Sequence, residues 1–152
     1  MIDDLLALAD DLAKRETGRP KQASLRRAVG TAYYAVFHAL AKMCADQLVG
    51  TTKPWDVYTP IYRAINHAAA RKVFSSVRKD HGDGAAVAAI GVTFSSLHEK
   101  RLEADYDPEP FSHTRQEVKD LIQEARNAIE AINSLPPETK LRLAVQFVTK
   151  TR

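Results

Sequence analysis

The chain has 152 residues, of which 45% are hydrophobic and 27% are charged, a composition typical of a globular domain. Its formal net charge of +3 permits contact with nucleic-acid phosphates without demanding it. No apolar run approaches the roughly 20 residues that span a bilayer, and the acidic start MIDDLLALADD is unlike a secretory signal. We therefore expect a single cytoplasmic domain over residues 1–152, without membrane contact.

Apolar residues recur at spacings of three and four along almost the whole chain, and this period predicts helices throughout. Ser24 is suited to cap the second helix, and the two prolines of DPEP at 107–110 stop the fourth. Thr114 with Glu117 forms a capping-box pattern for the fifth. The predicted helices cover residues 2–16, 24–48, 56–79, 85–105 and 115–133, followed by a short one after Pro136 and Pro137.

These helices predict an all-α fold, an up-down bundle of four to five long helices with a short C-terminal helix. HGDG at 81–84 is the clearest turn signal and separates the third helix from the fourth. The apolar spacing also predicts which side chains face the core. In the first helix these are Ile2, Leu5, Leu8, Ala9 and Leu12, and in the last helix Leu141, Val145 and Val148.

The second predicted helix is apolar over more than half of its circumference, which indicates a central position or pairing with another chain. Its polar stripe, at spacings of four, three and four, contains Arg27, Thr31, Tyr34 and His38. These side chains either line the rim of the core with hydrogen-bonded polar tips, or hold a phosphate and stack a base. The residues alone leave both interpretations open.

Metal and cofactor chemistry has no support in the pattern. The single cysteine, Cys44, lies among apolar helix positions and is expected to be buried. The five histidines form no ligand pair at a spacing of four, and no Gly-rich phosphate loop occurs. We therefore predict neither a metal nor a cofactor. Basic residues at 71, 72, 78 and 79 are most simply a solvated face, and they are also the best candidates for a phosphate-contacting patch.

The stretch SLRRAVGTAYYAVFHALAK at 24–42, followed some sixty residues later by RLEADYDP at 101–108, resembles the HEPN family. The likeness is to small bacterial proteins with an R-A-Y-Y-A-x-F-H type helix and a later R-x-x-A-D-Y segment, and it covers roughly residues 1–133. It implies a four- or five-helix bundle that forms a homodimer, here through the second and fourth helices, and binds or acts on RNA or a nucleotide. Many such proteins are metal-independent ribonucleases of toxin–antitoxin or defence systems. Others are inactive binding or scaffolding forms, and some have a nucleotidyltransferase partner.

The catalytic motif implied by this resemblance is an arginine followed, after four to six residues, by a histidine. Arg101 takes the place of the arginine, but residues 102–108 contain no histidine, and His113 lies beyond two prolines. Metal-free RNA cleavage needs a group that transfers protons near neutral pH, whereas an unperturbed tyrosine titrates near about 10. The leading hypothesis is therefore a non-catalytic RNA- or nucleotide-associated module.

The two stretches together supply the candidate site. Arg101 and Asp105, one helical turn apart, either pin the end of the fourth helix or contribute to a ligand site. If the protein is an enzyme, we expect a metal-independent ribonuclease in which His38 or His98 acts with Arg101. A third hypothesis is a protein-interaction scaffold without a nucleic-acid role. The predicted binding residues are Arg27, Tyr34, His38, Arg101, Asp105 and Tyr106.

Overall fold

The computed structural model describes residues 1–78 and 82–149. Helices make up 79% of these described residues, which contain seven helices and no strand, and this confirms the predicted all-α class. Within the same residues, no helix has the length and hydropathy needed to cross a bilayer. The helices are α1 (Ile2–Lys14), α2 (Gln22–Leu48), α3 (Trp55–Ala64), α4 (His67–Ser75), α5 (Gly84–Tyr106), α6 (Arg115–Ser134) and α7 (Pro137–Thr149).

The chain divides into two compact units whose boundaries fall inside helices. Unit 1 comprises Met1–Phe37 and Thr93–Ile129, and unit 2 comprises His38–Val92 and Glu130–Arg152. Helix α1 belongs to unit 1, helices α3, α4 and α7 belong to unit 2, and α2, α5 and α6 contribute residues to both. The expectation of one domain over residues 1–152 stays a prediction.

Unit 1 buries an apolar face of each helix that contributes to it. On α1 the prediction is correct for Ala9 and Leu12, which are buried, but wrong for Leu8, which is 45% exposed; Leu6 and Ala13 are buried instead. Leucines surround α1 on several sides, so the periodicity allows more than one face, and the small alanines lie where α1 is buried most deeply. The larger fully buried side chains of the unit are Val29, Tyr33 and Val36 of α2, Phe94 and Leu97 of α5, and Val118 and Ile122 of α6.

An arginine closes the end of α1. Arg115 donates from Nε to the carbonyl of Ala13 at 2.9 Å, and from Nη2 to the carbonyls of Glu16 at 2.7 Å and Gly18 at 2.9 Å. The last carbonyls of a helix have no partner within the helix, and a cation at that end is also favoured by the helix dipole. The first residue of α6 therefore fixes the segment that follows α1.

Unit 2 corrects the prediction of one long third helix over 56–79, because the chain forms α3 and α4 instead. Ile65 leaves the helix with an extended backbone, at φ −71° and ψ 136°. Asn66 then starts α4 by accepting a hydrogen bond from the Ala69 amide at 2.8 Å. The apolar period continues through the break, since Ile65 is itself buried, and the side-chain cap of Asn66 decides where the new helix begins.

The last helix, α7, also buries a different face from the predicted one. Leu141 and Val145 are each 44% exposed, while Leu143, Ala144 and Phe147 are buried. The Phe147 ring packs against Phe74 with a centroid distance of 5.3 Å, and burial of this larger aromatic ring sets the orientation of the helix. His81 of the predicted HGDG turn and Lys79 of the basic patch lie outside the described residues.

Candidate functional site

In unit 1 the two sequence stretches contact each other through Arg101. Its Nη2 donates a hydrogen bond to the Tyr34 hydroxyl at 2.8 Å, and its Nε lies 2.9 Å from Oδ2 of Asp105. The side chain of Arg101 is 13% exposed and that of Asp105 is 27% exposed. The predicted Arg101–Asp105 pair therefore exists as a half-buried ion pair, and Tyr34 of α2 shares its guanidinium.

Three tyrosine rings lie close to that guanidinium. The Arg101 Cζ is 5.9 Å from the ring centroid of Tyr33, 5.3 Å from that of Tyr34 and 5.7 Å from that of Tyr106. Tyr33 is fully buried, whereas Tyr106 is 70% exposed. These distances are in the range of cation–π contacts, which restrain the guanidinium further. We call these five residues, Tyr33, Tyr34, Arg101, Asp105 and Tyr106, the Arg101 cluster.

The arginine of α2 that contacts the R-x-x-A-D-Y segment most extensively is Arg26, which sequence reasoning missed. Its Nη1 donates to the carbonyls of Ala104 and Asp107, both at 2.9 Å, and its Nη2 donates to the carbonyl of Glu109 at 2.6 Å. The guanidinium also lies 5.2 Å from the ring centroid of Phe111. The predicted binding residue Arg27 is exposed instead. The signal that was available is the DPEP segment itself, whose prolines leave carbonyls at the end of α5 without helical partners.

His113 anchors the other end of the same connection. Its Nε2 lies 3.2 Å from Oε1 of Glu103, and its Nδ1 lies 3.1 Å from Oε2 of Glu117. The side chain of His113 is 13% exposed, so these carboxylates are its immediate surroundings. The α5–α6 connection, residues 107–114, is therefore fixed at its start by Arg26 and at its end by His113.

The two histidines considered as catalytic partners of Arg101 belong to different units. His98, in unit 1, has its ring centroid 5.3 Å from that of Tyr33, and its ring is nearly parallel to Phe94, at 11° and 6.4 Å. His38, in unit 2, has its Nδ1 2.6 Å from the Tyr62 hydroxyl. Burial lowers the pKa of His38, and the neutral ring can accept the Tyr62 hydrogen bond.

The contact of His38 is part of a line of polar pairs between α2 and α3 in unit 2. Two helical turns after His38 on α2 and one turn before Tyr62 on α3, the Tyr58 hydroxyl donates to Oδ1 of Asp46 at 2.7 Å, and Lys42 pairs with the same carboxylate. Burial, followed by the hydrogen bond to Asp46, raises the pKa of Tyr58. The spacing of four between the α2 residues and between the two tyrosines is a sequence signal from which this line of pairs could be predicted.

Cys44 is fully buried, as predicted, and burial raises the pKa of its thiol to about 12. A thiol with so high a pKa stays protonated near neutral pH and is a poor nucleophile. In the part of the chain that the structure describes, no three His, Cys, Asp or Glu side chains are placed to hold a metal ion.

The Arg101 cluster offers one guanidinium, one carboxylate and three phenol rings. The Tyr34 hydroxyl accepts from one of the five N–H donors that a guanidinium carries, whereas Asp105 lies beside Nε as an ion-pair partner and accepts no hydrogen bond from it. The planar donor fork matches phosphate or carboxylate oxygens, and an exposed phenol ring is a surface on which a base can stack. Comparisons with protein-family models, with curated proteins and with solved structures give no match for this chain.

Proposed function

We propose that the protein is a non-catalytic, HEPN-like module that binds RNA or a nucleotide through the Arg101 cluster. The observation that carries the proposal is the 2.8 Å hydrogen bond from Arg101 to Tyr34, because it brings both stretches of the resemblance into one cluster. In this proposal the Arg101 guanidinium binds a phosphate, and a base stacks on Tyr106, whose side chain is 70% exposed. The exposed Arg27 adds positive charge on the α2 stripe that contains Tyr34.

Support for a non-catalytic role comes from the residues that follow Arg101. Positions 102–108 contain no histidine, and the next histidine, His113, is engaged with Glu103 and Glu117. Metal-free cleavage of RNA requires a group that gives and takes protons near neutral pH. A binding role requires only the charge, the hydrogen-bond donors and the aromatic surface of the cluster.

Fluorescence anisotropy with a labelled single-stranded RNA tests the binding claim, with unlabelled nucleotides as competitors. We expect affinity that falls as salt concentration rises, since phosphate contacts release counterions. Tyr106→Ala and Arg101→Lys should weaken binding, the latter because lysine keeps the charge but not the donor fork. Gln123→Ala is the control, because Gln123 is an exposed, uncharged residue of α6 in the same unit. Unchanged affinity in both cluster variants would contradict the proposal.

A cleavage assay separates binding from catalysis. The pure protein is incubated with total RNA in the presence of a metal chelator, and we expect the RNA to remain intact. Cleavage that is lost in Arg101→Ala and in either His38→Gln or His98→Gln would instead establish the metal-independent ribonuclease alternative. Failure to bind any RNA or nucleotide at low salt, together with tight binding to another protein, would favour the scaffold alternative.

The proposed assembly is a homodimer that acts in the bacterial cytoplasm, within a toxin–antitoxin or defence cassette. The apolar side chains of Val92 and Leu102, which are 68% and 38% exposed on α5, support an interface on the helix for which the resemblance implies one. Light scattering after size-exclusion chromatography tests the dimer, and Val92→Asp or Leu102→Asp should convert it to a monomer. Co-purification with a nucleotidyltransferase encoded beside the gene tests the cassette.

A further inference from the structure

The single tryptophan of the chain is exposed on unit 2. Trp55 is the first residue of α3, and 65% of its side chain is accessible to solvent. Tryptophan is on average one of the more buried residues, because exposure of its large ring forfeits much favourable burial. The neighbouring Val57 is 48% exposed, so the apolar surface extends beyond one side chain. A large ring that is left in solvent in this way is a candidate contact for a ligand.

The Trp55 ring packs against Tyr58, a side chain that is itself held in place. It meets Tyr58 edge to face, with a centroid distance of 5.6 Å and an interplanar angle of 85°. Tyr58 is 3% exposed, and its hydroxyl is fixed by the 2.7 Å hydrogen bond to Asp46. An aromatic surface that is already held in place loses little conformational entropy when a ligand stacks on it.

A strained lysine lies beside the same tyrosine. Among the residues described, Lys53 is the only non-glycine residue with a positive φ, at 53°. Its Nζ is 5.6 Å from the Tyr58 ring centroid. Non-glycine residues adopt this left-handed conformation uncommonly, and backbone strain of this kind clusters at functional sites. Lys53 and Trp55 thus both lie beside the Tyr58 ring. Lys53 supplies a cation there, and Trp55 supplies an aromatic ring.

The distribution of charge between the units indicates the sign of the ligand. Unit 2 contains eleven Lys and Arg against six Asp and Glu, a formal charge of +5, whereas unit 1 contains eleven against thirteen, a formal charge of −2. A net positive charge raises the local concentration of polyanions. Asp56 follows Trp55 directly and is exposed, so stacking rather than charge is the contribution expected from Trp55 itself.

We propose that Trp55 and Lys53 form a contact site for single-stranded nucleic acid, the Trp55 site. A base stacks on the indole ring and Lys53 contacts a neighbouring phosphate. A single strand is required because the faces of bases are covered in a duplex. The inference rests on the proposed function, since it assumes that RNA is the ligand, and it adds a contact point in unit 2 to the Arg101 cluster of unit 1.

Trp55 is its own probe, because its fluorescence is the only tryptophan emission of the protein. The protein is titrated with an oligouridine of about twelve nucleotides, a length within the usual site sizes of single-strand binding proteins. Tryptophan emission and the anisotropy of the labelled oligonucleotide are followed in parallel. We expect quenching that saturates together with the anisotropy.

The variants separate stacking from charge. Trp55→Ala should weaken binding by about 5- to 100-fold, the range that one base–aromatic stack contributes, and Trp55→Phe should weaken it less. Lys53→Gln should reduce the salt dependence of the affinity by about one counterion. Leu141→Ala, a control at an exposed apolar side chain of α7 in the same unit, should bind as the unmodified protein does. Thermal melts of each variant check that the fold is retained.

The outcomes distinguish this inference from the proposed function. If the oligonucleotide binds but tryptophan emission does not change and Trp55→Ala binds normally, the Trp55 site is overturned and the proposed function stands. If no oligonucleotide binds at low salt, the proposed function fails as well. If polyglutamate quenches Trp55 and the oligonucleotide does not, the site takes acidic peptides and the nucleic-acid assignment is overturned.

Discussion

Arg101 of α5 donates a hydrogen bond from Nη2 to the hydroxyl of Tyr34 of α2 over 2.8 Å. Because the Arg101 side chain is only 13% exposed, water can replace this acceptor only in part. A charged donor that is left unsatisfied and largely buried costs more than the net gain of the bond itself. This hydrogen bond between the two sequence stretches therefore contributes to the stability of unit 1.

Removal of the Tyr34 hydroxyl should therefore be costly. We expect Tyr34→Phe to lower the free energy of unfolding by about 1–3 kcal/mol, since it keeps the ring and deletes only the acceptor. Tyr106→Phe is the matched control, because Tyr106 is 70% exposed and surface changes usually stay within about 0.5 kcal/mol. Urea denaturation followed by circular dichroism measures both values. Equal effects of the two substitutions would show that the Arg101–Tyr34 hydrogen bond contributes no more to the free energy of unfolding than an exposed hydroxyl does.

Arg26 and Arg27 form a second matched pair. Arg26→Gln loses the donors that reach the carbonyls of Ala104, Asp107 and Glu109, whereas Arg27 is exposed. We expect Arg26→Gln to lower the free energy of unfolding by about 2–3 kcal/mol and Arg27→Gln to change it by less than about 0.5 kcal/mol. Hydrogen exchange should also become faster at the amides of residues 105–111 in Arg26→Gln alone. A larger effect from Arg27→Gln would reverse this assignment.

The difference between these two arginines shows what the sequence could supply. Helical periodicity correctly predicted α2 and α5 and placed Tyr34, Arg101 and Asp105 where contact was possible. Helical spacing predicts Arg27 as a binding residue because it shares a stripe with Tyr34. The acceptors of Arg26 are backbone carbonyls of a loop, and the path of that loop is set by tertiary packing, which periodicity does not report.

The errors in unit 2 have a similar cause. Ile65 is buried in the break between α3 and α4, so the hydrophobic pattern is the same for one helix as for two. The side-chain oxygen of Asn66 decides where α4 begins, because it caps the new helix. Whether this cap is more stable than a continued helix depends on the surrounding contacts. Helix α7 has two apolar stripes, and either could face the core. The stripe that is buried is the one that contains Phe147, because Phe147 packs against Phe74.

The pKa of His38 predicts a pH dependence of stability. Burial lowers this pKa, so the folded protein takes up the proton less readily than the unfolded chain, in which the pKa is near the ordinary 6.5. At pH values above 6.5 His38 is neutral in both states, and its contribution to the free energy of unfolding is fully present. As the pH falls below it, the unfolded state is protonated first and the free energy of unfolding decreases. We expect His38→Gln to show a smaller decrease between about pH 7.5 and pH 5.

Comparison of the two proteins isolates His38, because the other histidines are common to both and cancel in the difference. The hydrogen bond from Ser24 lowers the pKa of Glu16, so its contribution is present above the ordinary value of 4.5 and is lost only below it. That window lies under the range of the measurement. Urea titrations at each pH give the free energies. An equal or steeper decrease in His38→Gln would contradict the assignment of a lowered pKa to His38.

Close packing of α4 and α5 in unit 2 depends on Gly91. A Cβ at this position would lie 2.6 Å from Cβ, 2.7 Å from Cγ and 2.8 Å from Cδ1 of Phe74. Phe74 is 7% exposed and packs against Phe147, so it has little room to withdraw. Overpacking costs about 1–3 kcal/mol, which exceeds the gain of up to about 1 kcal/mol from replacing glycine by alanine in a helix.

We therefore expect Gly91→Ala to lower the free energy of unfolding by about 1–2 kcal/mol. Gly18→Ala is the control, because no atom lies within 4 Å of its added Cβ. A smaller side chain opposite the new methyl group, as in Gly91→Ala with Phe74→Leu, should cost less than the sum of the two single changes, since each then relieves the other. If Gly91→Ala alone raised stability, helix propensity would be acting without a steric penalty, and the close approach of α4 to α5 at Phe74 would be contradicted.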